Sequence, residues 1–158
     1  MKRLTLATLL ICSCATAWAA DLRKGLTAAA TGDYATALAE LKPLAGQGNA
    51  LAQNMLGLMY YNGSGVIEDD KEAAKWFKLA AEQGDAGSQF SLGLMYYNGE
   101  GVIQDNVYAH MWWNLAAAND DENAKFNKDI LVKRMTPQEI SKAQDLAREC
   151  VKKNYKNC

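Results

Sequence analysis

LGLMYYNGSGVI at Leu56–Ile67 returns as LGLMYYNGEGVI at Leu92–Ile103. Laid over one another without a gap, residues 48–83 and 84–119 agree at 20 of 36 positions. A fixed period of this size marks a stacked-repeat architecture, in which each unit buries its apolar face on its neighbours. The usual work of such an array is binding rather than catalysis.

Inside each unit the period is helical. Ala52, Leu56, Tyr60 and Gly63 share one stripe, and Ala73, Trp76, Phe77, Ala80 and Ala81 share another. Between them Asn62-Gly63-Ser64-Gly65 stops a helix, because glycine takes the left-handed conformation at a helix C-terminus. Asp69 or Asp70 then caps the next helix. The second unit repeats this with Ser88, Leu92, Gly93 and Tyr96, the turn Asn98-Gly99-Glu100-Gly101, and a helix from Asp105 carrying Ala109, Trp112, Trp113, Ala116 and Ala117. Gly57 and Gly93 lie inside helices, where glycine costs about 1 kcal/mol relative to alanine. Repeated in register, that cost implies a crossing with no room for a β-carbon. Ala73, Ala80 and Ala81 are the expected complementary surface, with Trp76 and Trp112 filling the gaps between helix pairs.

Outward from the repeats the pattern weakens. Residues 20–47 form a degenerate first hairpin around the shorter turn Thr31-Gly32-Asp33, and residues 120–158 a set of capping helices. Asn119–Glu122 is a polar break, Lys125–Met135 a further helix, and Thr136-Pro137-Gln138-Glu139 a helix start by cap, proline and capping-box glutamate. The last helix runs to about Lys152 with Ile140, Ala143, Leu146 and Ala147 buried. The expected fold class is all-α, an α-solenoid of eight helices in four antiparallel hairpins, with no strand.

Residues 1–19 stand apart. Lys2 and Arg3, the apolar run Leu4–Ile11 and Ala17-Trp18-Ala19 read as a secretory signal peptide cut after Ala19. The run is far short of the roughly 20 residues a membrane-spanning helix needs. Lipidation at Cys14 is a minor alternative that Ile11-Cys12-Ser13 supports only loosely. Removing 19 of the 158 residues leaves 139, enough for a single-domain core, and moves the formal charge from −1 to −3. No basic stripe is left to neutralise phosphates, so nucleic acid is an unexpected partner. Cys150 and Cys158 remain. In an exported chain an even pair suggests a disulfide, although two unrelated thiols satisfy the sequence as well.

The pattern Leu56-Gly57, Tyr60, Gly63, Gly65-Val66, Asp69, Ala73, Trp76, Ala80-Ala81 and Gly84 resembles the Sel-one-like repeat family, tetratricopeptide relatives that form α-solenoids. Leu92-Gly93, Tyr96, Gly99, Gly101-Val102, Asp105, Ala109, Trp112 and Ala116-Ala117 match it again. Lys133-Arg134-Met135-Thr136-Pro137 with Ala143, Gln144, Leu146 and Ala147 is similar to the capping tail of bacterial exported members. The resemblance implies adaptor or scaffold work through protein–protein contacts. Cysteine-rich relatives have been linked to penicillin binding; those carry a cysteine pair in each repeat, and the repeats of this chain carry none.

Catalysis needs a nucleophile, a base and an orienting group, or a metal. Ser64, Ser88, Ser91 and Ser141 lie outside Ser-x-x-Lys and Gly-x-Ser-x-Gly contexts. His110 is the sole histidine and reads as a partly exposed residue at the register position of Ala74. The acidic runs Glu68–Asp70 and Asn119–Glu122 lack calcium-loop spacing and read as helix caps. No catalytic residue, metal or cofactor is expected. The candidate binding surface is a ladder of Asn54, Leu58 and Tyr61 with Phe90, Leu94 and Tyr97, on the face beside the core stripe of each first helix. Tyrosine is enriched at binding hot spots, although the same residues could serve only to pack neighbouring units. The expected protein is a monomeric, periplasmic or secreted, non-enzymatic interaction module with a protein or peptide partner. An envelope hydrolase or penicillin-binding protein, or a secreted effector or inhibitor, is the alternative.

Overall fold

Helices begin in this chain wherever a short polar side chain precedes an apolar period, and the computed structural model, which describes residues 22–158, shows each of these caps closed. Residues 22–31 are helical (α1). They are followed by α2 (Tyr34–Gly46), α3 (Ala50–Asn62), α4 (Asp70–Ala81), α5 (Ala86–Asn98), α6 (Asn106–Ala118), α7 (Glu122–Val132) and α8 (Pro137–Lys152). Asp33, Asp69 and Asp105 cap α2, α4 and α6, and Asn49, Asp85 and Asp121 cap α3, α5 and α7. Both sets recur at the repeat period, so the side-chain oxygens that accept the free N–H groups are part of the repeat. Thr136 and Glu139 form a reciprocal capping box at α8. Among the described residues there is no strand.

The packing is that of an all-α solenoid. Within each pair one glycine lets the two axes approach. A β-carbon added to Gly25 would lie 2.8 Å from Leu41, one on Gly57 2.6 Å from Phe77, and one on Gly93 2.3 Å from Trp113. Leu41, Phe77 and Trp113 are themselves spaced by the repeat period, so the hairpin at the N-terminal end is a true unit with a shorter turn. The absence of room for a β-carbon is as expected, but its partner is different. The glycines face bulky side chains rather than Ala73, Ala80 and Ala81, because a large ring tip needs the missing atom and an alanine does not.

Three hairpins stack in order, α1–α2, α3–α4 and α5–α6, and α7 then lies against α6 as the next first helix. The fourth hairpin expected from the sequence does not close. α8 lies along α6 and hardly touches α7. Its Ala147 and Cys150 join the core of Phe77, Met111 and Trp112, while Ala143 joins that of Trp113 and Leu131. Trp112 consequently sits beneath α8 at 1% exposure, whereas Trp76, its counterpart, packs half-buried on the core of the first hairpin. Beyond α8 the chain turns back through left-handed Asn154, Tyr155 and Asn157. Cys158 is bonded to Cys150, with their Cα atoms 5.3 Å apart.

Candidate functional site

The six ladder residues run along α3 and α5, and all six are half-buried. Each has one side in contact with a neighbouring unit. Asn54 Nδ2 donates to Ser88 Oγ at 2.7 Å and Asp85 Oδ1 at 3.1 Å, joining α3 to the cap of α5. Leu58 packs on the core around Phe77 and Trp112, and Phe90 and Leu94 pack on the core around Trp113 and Leu131. Tyr61 donates its hydroxyl to Glu100 Oε2 at 2.9 Å, in the turn of the following unit. Burial, and then that bond, holds its phenol above the usual range. Tyr97 does the same job one unit later with a different partner, its hydroxyl accepting from Arg134 Nη1 at 3.1 Å and its ring lying 5.6 Å from that of Trp113. The structure thus sets Asn54, Leu58 and Tyr61 against the second repeat, and Phe90, Leu94 and Tyr97 one unit later against Trp113, Leu131 and Arg134.

Beside the ladder runs a relay that the sequence pattern did not disclose. Gln53 is 4% exposed and Gln89 fully buried. Gln53 donates to the Ala45 carbonyl at 3.0 Å and accepts from Gln83 at 2.7 Å. One period later Gln89 donates to Ala81 O at 3.2 Å and accepts from Asn119 at 3.1 Å. Each glutamine therefore satisfies a carbonyl at the end of one second helix and ties it to the end of the next, as a buried amide must be paired. The identical residues at positions 53 and 89 were the available signal.

His110 is not the partly exposed residue expected. It is 2% exposed because α7 covers it, and its Nδ1 has no hydrogen-bond partner. Burial and nearby Lys128 lower its pKa, against a smaller opposing effect of Asp129. Of the serines, Ser88 is fully buried on Asn54, and Ser91 donates to Gly87 O at 2.9 Å. Among the described residues no three His, Cys, Asp or Glu side chains gather where they could hold a metal ion.

The repeat profile that fits this geometry is the Sel1 repeat, which matches residues 50–85 and 86–121. The chain carries two Sel1 repeats. Two of the solved structures that share its fold illustrate the likeness. One is c5321, a protective antigen of uropathogenic Escherichia coli strains with an SLR fold, at 29% identity and a TM-score of 0.81 over 87% of this chain and 31% of that one. The other is a Sel1 repeat protein from Oxalobacter formigenes, at 32% identity and a TM-score of 0.67 over 79% of this chain and 54% of that one. The chain thus spans just under a third of the one relative and just over half of the other. No curated protein matches it.

A second surface is formed where α4 meets the second repeat. Between α4, α5, the Gly101-Val102 turn and α6 there is a cleft of about 330 Å³, bounded at one end by Cys158. The turn is held close against α4, where a β-carbon on Gly101 would come within 2.2 Å of the Asp70 carbonyl. Residues 1–19, with the expected signal peptide and Cys14, lie outside the described residues. Among the described residues no helix is long and apolar enough to cross a membrane.

Proposed function

We propose that this protein is a non-enzymatic interaction module that works outside the cytoplasm, in the periplasm or secreted, and grips a protein or peptide partner along the ladder of α3 and α5. Sel1 repeats generally act as protein–protein scaffolds, and this chain spans 31% and 54% of the two relatives. The observation that carries the choice of face is the half-buried state of all six ladder residues. Asn54, Leu58, Tyr61, Phe90, Leu94 and Tyr97 are pinned on one side by the seam and open on the other. Anchors fixed in this way lose little side-chain entropy on binding. A Cys150–Cys158 bridge suits an oxidising compartment, in accord with export.

Photo-crosslinking in living cells tests the face. A benzophenone amino acid at Leu58 or Phe90 should give a discrete adduct in the envelope or medium, and the same group at Lys142, on the outer side of α8, should give none. Equal adduct patterns from both faces, or adducts from Lys142 alone, would remove the ladder from consideration.

A further inference from the structure

We propose that the cleft between α4, α5 and α6 is a second binding site, for an acidic polypeptide segment that carries an apolar side chain next to its carboxylate. The floor is apolar: Leu92 and Val102 line it with the rings of Tyr96 and Trp112. The rim is cationic. Lys71, Lys75 and Lys78 stand at i, i+4 and i+7 on α4, so all three stems run along one side of the opening. Lys71 has no ion-pair partner among the described residues. Lys75 meets Glu72 and Lys78 meets Glu82 only in exposed pairs, with 70% and 53% of those lysine side chains accessible. Pairs of that kind are weak, so an incoming carboxylate competes readily.

Register identifies the lysines as a local feature. In α6 the same positions hold Val107, Met111 and Asn114. In α2 they hold Ala35, Ala39 and Lys42, so the repeat does not need lysine there and the full row of three stands on α4 alone. The tail adds to the field, since exposed Lys156 falls between Tyr155, which packs beside Gly84, and Cys158 at the cleft. This cationic corner sits on a chain of net charge −1, which favours a local acidic contact over a polyanion. About 330 Å³ is at the small end of ligand sites, the size of one or two side chains. A bare phosphate would leave the apolar floor empty.

The site does not rest on the ladder. The test uses the chain with its disulfide intact and a fluorescein-labelled acetyl-Phe-Glu-Leu-Asp-Phe-Glu peptide, followed by anisotropy. Binding is expected, with hexaglutamate about tenfold weaker and a peptide with lysine at each acidic position not bound. Lys71→Glu with Lys75→Glu and Lys78→Glu should weaken binding at least about tenfold with only a small fall in melting temperature, because the ion pairs it reverses are exposed. Lys71→Gln with Lys75→Gln should fall between. Tyr97→Phe, at the ladder and paired with Arg134 outside the cleft, should leave binding unchanged. Absence of binding, equal binding of hexaglutamate, displacement by millimolar inorganic phosphate, or indifference to the charge reversal would each overturn the proposal.

Discussion

α4 and α6 occupy the same place in successive repeats and are built from sequences of the same period, yet they differ in how much of their surface is covered. α4 buries Ala73, Ala74, Phe77, Ala80 and Ala81 and shows charges to solvent. α6 buries eight residues from Val107 to Ala116, His110 among them. α7 covers His110, and the difference at Met111 and Trp112 comes from α8, which lies over α6 and leaves α4 open. The chemistry follows the cover: Lys71 and Lys75 of α4 become Val107 and Met111 in α6. The repeat therefore sets the backbone, while the neighbours set the composition of the outward face.

The largest expected contrast is between the two tryptophans. Trp112→Ala should cost on the order of 4 kcal/mol, since a fully buried ring leaves a cavity between α6 and α8. Trp76→Ala, half-buried, should cost about half as much. Equal losses in chemical denaturation would mean that α8 does not shield α6 in solution. The reciprocal exchange comes next. Met111→Lys places an ammonium at a position 1% exposed and should cost about 3 kcal/mol, whereas Lys75→Met should stay within about 0.5 kcal/mol. A mild Met111→Lys would show that the outer face of α6 is wet.

The smallest effect is acid sensitivity confined to α6. The folded pKa of His110 lies below its ordinary 6.5, so the unfolded chain binds the extra proton first. Its contribution is complete above about pH 6.5 and declines as the pH falls through that value toward the folded pKa. Melting followed from about pH 7.5 to about pH 5.5 should show a falling midpoint, and His110→Leu should flatten the curve in this window. Asp33, Glu139 and Glu149 are exposed carboxylates whose pKa values are held low by hydrogen bonds, so they act only at more acid pH. A slope that survives His110→Leu would assign it elsewhere.

The solenoid was legible because its determinants are local and doubled: Gly57 with Gly93, Asp69 with Asp105, and the Thr136 box. The course of α8 was not, since an amphipathic helix states that it has a partner and not which one. The loss of Lys71 and Lys75 in register was the trace left in the sequence, and it points to cover on α6 only once α8 is in view. For the ladder, spacing placed six residues in line, but their seam contacts depend on neighbours a full unit away, such as Glu100 for Tyr61 and Arg134 for Tyr97. The burial of His110 is hidden for a related reason: its register partner Ala74 says nothing about α7.

The glutamine relay has a consequence for how such a molecule can lengthen. Gln53 and Gln89 use partners at identical offsets before and after them, Ala45 with Gln83 and Ala81 with Asn119. A duplicated 36-residue module inserted between α4 and α5 would find every acceptor and donor already in place, with an amphipathic second helix suited to standing uncovered. The same module inserted between α6 and α7 would carry α6 away from α8 and strand its apolar back in water. Growth by copying is thus tolerated at one joint and penalised at the next.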